Sequence, residues 1–202
     1  MLYIVGLGPG HRDYMVSKVI DILETSDVIV GFKRALDSLD FINKQKIYLK
    51  SLSDIDKILI STEEKVVSVV ASGDPTFYGI TNYIKNNIAE EFEIIPGISS
   101  FQYLTSKIKL PWNEAYLGSL HGRDEEFLKV INENDITIWL TDKKNNPQKL
   151  CEILNDESIN CKVIIGENLS YEDERISEGK PEEFIDKSFS DLSILIIIRE
   201  KR

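Results

Sequence analysis

The chain has 202 residues, 42% of them hydrophobic and 29% charged, the make-up of an ordinary globular protein with one large domain or two compact ones. A formal charge of −10 and a pI near 4.8 argue against nucleic acid or an anionic membrane surface as a general partner. The longest apolar stretch, Leu192 to Ile198, is too short to span a bilayer, and no basic leader with a cleavage site opens the chain, so a cytoplasmic location is expected.

Met1 to Val5 reads as a buried strand that exits into Gly6-Leu7-Gly8-Pro9-Gly10, a turn whose backbone can lie open to a ligand. It is not a dinucleotide fingerprint: His11 stands where the third glycine belongs, Pro9 lacks an amide, and Asp27 precedes the strand Val28–Val30 instead of following it. The apolar spacing of Tyr14, Val19, Ile22 and Leu23 predicts a helix from about Asp13 to Thr25, and another is expected from about Arg34. Val66–Ala71 reads as a third strand inside a two-sided parallel sheet. A helix from Pro75 to about Asn86, a strand Phe92–Ile95 and a helix from Ser99 to about Ile108 complete a βαβ rhythm.

The rhythm breaks at Lys109-Leu110-Pro111-Trp112-Asn113, which places a domain junction there. A second α/β segment follows, with strands Ala115–Leu120, Ile136–Thr141, Lys162–Gly166, Arg175–Ser177 and Leu192–Ile198, and helices Glu125–Asn132, Pro147–Leu154 and Glu182–Lys187. The expected architecture is two small α/β domains, 1–110 and 114–202, with mainly parallel or mixed sheets.

Two further turns resemble the first. In Ser72-Gly73-Asp74-Pro75, Asp74 suits a helix N-cap and Pro75 the first helical position, while Gly73 lets a ligand lie against the main chain. Pro96-Gly97-Ile98-Ser99-Ser100 repeats the arrangement with two hydroxyls. Each alone is ordinary turn chemistry, but three such exits from neighbouring parallel strands would line the edge where open α/β sheets bind ligands. Lys33, Arg34, His121 and Arg123 bring positive charge to an acidic chain and suit the carboxylates of an anionic ligand. Cys151 and Cys161 lack metal-binding spacing and the chain has only two histidines, so reduced thiols and no metal are expected.

The stretches YIVGLGPG from Tyr3, VGFKRAL from Val30, ASGDPTFYG from Ala71 and IPGISSFQ from Ile95 resemble the tetrapyrrole (corrin and porphyrin) methylase family. LPWNEA from Leu110, SLHGR from Ser119, TDKKNNP from Thr141 and GENLSYEDERI from Gly166 narrow the resemblance to the branch acting at C-5 of precorrin-7 or its cobalt form, in cobalamin biosynthesis. The resemblance implies two α/β domains holding S-adenosyl-methionine in the cleft between them. It implies cofactor contacts at Pro9, Gly73, Asp74, Phe77, Ser99 and Ser100, and from the second domain at Leu140, Thr141, Glu167 and Ser193, with Gly166 and Asn168 beside Glu167. The tetrapyrrole would lie near Gly8, His11, Lys33, Arg34, His121 and Arg123. It further implies a homodimer, and a separate polypeptide for the C-15 methylation and decarboxylation that some relatives carry as a fusion.

Methylation of a methine carbon leaves a proton to be removed, and His121 is the candidate general base. The alternatives are diphthine synthase or a ribosomal-RNA ribose methylase of the same fold, a nucleotide-dependent oxidoreductase, and a non-catalytic tetrapyrrole carrier.

Overall fold

The computed structural model describes residues 1–62, 65–122 and 126–200. Two compact units divide between Ser100 and Phe101. In the first, β1 (Leu2–Gly6), β2 (Val28–Phe32), β3 (Gln45–Leu49), β4 (Val67–Ala71) and β5 (Phe92–Ile95) form one all-parallel sheet in the order β3-β2-β4-β1-β5. Parallel neighbours require crossovers. These run through α1 (Ser17–Thr25), α2 (Lys33–Asp37), α3 (Asp54–Ser61) and α4 (Thr81–Asn87).

Helices on both faces bury the central strands on both sides, which is why β2 and β4 are nearly unbroken runs of Val and Ile. One core joins Val19, Leu23, Leu36 and Leu39 to Val5, Ile29 and Val70; the other joins Ile55 and Ile84 to Ile4, Val28, Val30 and Val69. The buried exception, Ser68, is satisfied: the Ser26 hydroxyl donates to the Ile22 carbonyl at 2.8 Å, so at 2.7 Å it accepts from Ser68.

Three local expectations are corrected. The helix expected from Asp13 is a 3₁₀ turn at Arg12–Tyr14 followed by α1. β3 and α3 were not anticipated from the sequence pattern. The helix expected from Pro75 begins only at Thr81: the Pro75 carbonyl accepts from the Thr81 amide and hydroxyl, at 3.1 and 2.6 Å, closing a loop before the helix starts. Asp74 is therefore not the cap of α4.

The second unit holds α5 (Ser100–Lys107) from its second residue onward, and β6 (Tyr116–Ser119), α6 (Phe127–Glu133), β7 (Ile136–Leu140), α7 (Pro147–Asp156), β8 (Cys161–Glu167), β9 (Arg175–Gly179) and β10 (Ser193–Arg199). Its sheet is mixed, in the order β6-β7-β10-β8-β9, with β6 and β7 parallel and the remaining pairs antiparallel. The division precedes the 109–113 segment, where the sequence pattern breaks, because α5 packs with this unit, its Leu104 lying over Gly166 of β8. The helix expected at 182–187 is a 3₁₀ turn, Pro181–Glu183. The core gathers Trp139, Leu150, Cys151, Leu154, Cys161, Ile165, Phe184 and Leu195. Burial pushes the Cys151 thiol up to about 12 and the Cys161 thiol to about 11, which leaves both protonated and inert at neutral pH. Among the described residues no helix is long and apolar enough to cross a membrane.

Candidate active site

Because the first sheet is parallel, every strand delivers its carboxyl end to the same edge, and β4, β1 and β5 are adjacent there. The three glycine turns converge on one another. Gly8 and Gly73 exchange backbone hydrogen bonds of 3.2 and 2.7 Å, and the Leu7 amide donates to the Ala71 carbonyl at 2.9 Å. A methyl group on Gly97 would sit 2.2 Å from the Gly73 carbonyl oxygen and 2.7 Å from that of Gly6. Main chain meets main chain.

Asp74 ties these turns together. One carboxylate oxygen accepts from the Thr76 amide at 2.7 Å and from the Thr76 hydroxyl; the other accepts from the Gly97 amide at 3.3 Å. Gly73 has φ +68°, and the nearest atom to a Cβ built there is Cα of Ser99 at 3.8 Å, so its main chain is bare on that side. Pro9 and Ser99 are buried beside this edge, Ser100 is half-buried, and the Phe77 ring stands edge-on to Tyr78 at 5.0 Å. At the exit of β2, exposed Lys33 pairs with Asp37 at 2.6 Å, and Arg34 donates to the Ser72 hydroxyl at 3.4 Å. His11 caps the 3₁₀ turn, its Nδ1 accepting the Asp13 amide at 3.2 Å.

The second unit has its own edge. β6, β7 and β8 end at Ser119, Leu140 and Glu167, and β10 begins at Ser193; the registers Ser119 with Leu140, Leu140 with Ile194, and Glu167 with Ser193 bring all four strands together. The Thr141 hydroxyl donates to the Ser193 carbonyl at 2.8 Å and the Ser193 hydroxyl to the Ser190 carbonyl at 2.5 Å. Each oxygen keeps lone pairs that can accept from a ligand's amine or hydroxyl. The Glu167 side chain is buried and engaged: Arg175 grips both its oxygens at 2.5 and 2.8 Å, and the Ser190 amide adds a bond of 2.9 Å. Its carboxylate is therefore already taken.

His121 Nδ1 lies 3.2 Å from the Thr141 carbonyl. A carbonyl only accepts, so Nδ1 is the donor in this contact. The loop behind it is fixed, since Asp142 accepts the Gly122 and Asn145 amides at 2.8 and 2.7 Å. Burial pushes the Asp142 carboxyl upward, but the Gly122, Asn145 and Lys144 amides and His121 outweigh it and hold the group below its ordinary value. Arg123 lies outside the described residues.

Residues 1–185 match the family model of the tetrapyrrole (corrin/porphyrin) methylases. The chain belongs to this family. It is 36% identical to the "Probable cobalt-precorrin-7 C(5)-methyltransferase" of Methanocaldococcus jannaschii, over 97% of both chains. Among solved structures it is similar to the precorrin-6Y methylase of Archaeoglobus fulgidus, with TM-score 0.77, 28% identity, and coverage of 100% of this chain and 99% of that one. The uroporphyrin-III C-methyltransferase of Thermus thermophilus, solved with S-adenyl homocysteine, shares the fold at TM-score 0.77 and 18% identity, over 97% of this chain and 91% of that one.

In this tetrapyrrole methylase, sequence reasoning missed two partners that hold the second edge: Arg175, and Ser190, whose hydroxyl donates to the Asn168 amide oxygen at 2.6 Å. The signal was weak but present. Arg175 faces Glu167 directly once β8 and β9 are read as an antiparallel pair.

Proposed function

We propose that this methyltransferase moves a methyl group from S-adenosyl-methionine to C-5 of precorrin-7 or its cobalt form, in assembly of the corrin ring of cobalamin. The observation that carries the reading is the 36% identity, across 97% of both chains, to a relative bearing that activity in its name. Family membership and the product-like ligand of the Thermus relative support the methyl donor.

The residues present fit such a donor. Gly73 leaves bare main chain with 3.8 Å to its nearest neighbour, room a side chain would fill. The adjacent Ser99 and Ser100, and the accepting lone pairs of Thr141 and Ser193, suit an amino acid headgroup, a ribose and an adenine. Pro9, Gly73, Asp74, Phe77, Ser99 and Ser100 would hold the donor from the first unit; Leu140, Thr141, Ser193 and the main chain of Glu167 would hold it from the second.

When bound, the donor supplies a methyl already electrophilic on its sulfonium. The protein's part is placement, and in-line alignment with the ring carbon supplies roughly 7–11 kcal/mol of the barrier reduction. Gly8, His11, Arg34 and Arg123 orient the anionic macrocycle. His121, its Nδ1 held by the Thr141 carbonyl, takes the proton that must leave C-5 through Nε2. The active form is a homodimer.

The test is incubation with precorrin-7, with and without cobalt, and ¹³C-methyl donor, followed by mass and NMR assignment. One new methyl at C-5 is expected. Transfer to another carbon, or none, overturns the proposal. Light scattering at working concentration checks the dimer.

A further inference from the structure

We propose that Arg12 and Arg34 form a carboxylate-binding pair at the ligand edge of the first unit, with Arg12 a specificity residue for the peripheral acid groups of the substrate. This rests on the reading above, which makes the substrate a tetrapyrrole bearing acetate and propionate arms.

Several cations of this acidic chain are already paired. Lys33, Lys107, Lys129, Lys162, Arg175 and Lys180 each meet a carboxylate within 3.5 Å. Among the described residues Arg12 and Arg34 make no ion pair, and both are exposed.

Both are nevertheless held. The Arg12 guanidinium lies 4.3 Å from the centre of the Phe41 ring. A cation over an aromatic face is fixed in place without losing its charge or the donors along its edge. Arg34 donates a single bond, 3.4 Å, to the Ser72 hydroxyl beside the second glycine turn. The remaining donors of both forks stay available for planar, two-point contact with a carboxylate.

The fold sets the two on one edge. Arg12 follows the glycine turn at the exit of β1, and Arg34 is the second residue of α2 at the exit of β2, with β4 between those strands. Phe41, under Arg12, packs on the core that also holds Leu36 of α2. Of the other cations there, Lys33 already answers Asp37 at 2.6 Å, and His11 spends Nδ1 on the Asp13 amide. Lys50, exposed at the exit of β3, adds a third cation to this edge but lacks the planar fork that grips a carboxylate at two points.

Arg12→Gln, Arg34→Gln and the double variant test the pair, with Arg12→Lys keeping charge without the fork and Phe41→Leu keeping bulk without the ring. Lys129→Gln, which removes a paired cation on α6, is the control. The readouts are KM and kcat for precorrin-7, S-adenosyl-homocysteine affinity by calorimetry, melting temperature, and a fluorescence titration with uroporphyrin, a stable polycarboxylate macrocycle. Each Gln variant should raise KM about tenfold, as loss of a charge-assisted contact does. Arg12→Lys and Phe41→Leu should fall between wild type and Arg12→Gln. S-adenosyl-homocysteine affinity and melting temperature should hold in the Arg variants, and the control should match wild type. An unchanged KM in the double variant overturns the pair. If the wild type fails to methylate precorrin-7, the functional reading falls by itself, and uroporphyrin then decides the arginines: weaker binding by the double variant supports them, equal binding overturns them.

Discussion

Gly97→Ala is the sharpest perturbation of the converging turns. The added methyl would lie 2.2 Å from the Gly73 carbonyl oxygen, 1.2 Å short of the 3.4 Å at which ordinary contact begins, and 2.7 Å from the Gly6 carbonyl oxygen. Both obstacles are backbone atoms, Gly6 held in the β1–β4 ladder opposite Ala71 and the Gly73 carbonyl held by the Gly8 amide, so no side-chain rotation relieves them. Overpacking of a close-packed region costs typically about 1–3 kcal/mol, and an unyielding neighbour puts this case near about 3. For a unit of about 100 residues each kcal/mol lowers the melting temperature by about 4–8 °C, so a fall of at least about 12 °C is expected. Gly73→Ala separates packing from conformation: its nearest neighbour is at 3.8 Å, leaving only the φ of +68° as a cost. An L residue in that region costs roughly 1–2 kcal/mol. Calorimetry should show Gly97→Ala melting well below Gly73→Ala, while Gly73→Ala, still folded, binds S-adenosyl-homocysteine more weakly because its methyl covers the bare main chain. A Gly97→Ala protein melting with wild type would refute the backbone contact and the edge built on it.

His121→Gln should lower turnover by about 10²–10⁴, the usual contribution of a general base, with S-adenosyl-homocysteine affinity unchanged by calorimetry. Arg175→Ala leaves the buried Glu167 carboxylate with only the Ser190 amide; because the Arg175 side chain is itself 59% exposed, a loss of about 2 kcal/mol in a denaturant titration is expected, below the cost for a fully buried pair. Stability should fall at both pH extremes in thermal melts. For Asp142 and Glu174, burial raises each carboxyl, but bonds to the charged form outweigh it and hold both below their ordinary values; their stabilisation is present above pH 4.5 and is lost as pH falls through the lowered values. Burial pushes Tyr103 up to about 12, with Cys151 at about 12 and Cys161 at about 11, so their contribution is intact below pH 9 and lost as pH rises toward 12.

The elements most plainly legible in the sequence were the central strands buried on two sides, although the edge strands β5, β6 and β9 were also read. β1, β2 and β4 are almost entirely apolar because helices cover both their faces. β3 was missed for the converse reason: as the outermost strand it exposes Gln45 and Tyr48, and its mixed residues look like a loop. The glycine turns were legible because backbone approach demands glycine locally. Their partners were not: Asp74 resembles a helix cap, yet it serves the Gly97 amide 23 residues away. Glu167 drew notice as an acid in a ligand motif, and its carboxylate belongs instead to Arg175 and Ser190, a pairing set by strand register. Local spacing reports local bonds; contacts created by tertiary pairing leave little trace in it.

The order of strands in the second sheet governs how that unit is born. β10, the last strand of this sheet in chain order, is its middle, flanked by β7 and β8. Until it arrives, the β6–β7 pair and the β8–β9 hairpin present two raw edges with no bond between them, the kind of surface that chaperones shield and that neighbouring nascent chains can capture.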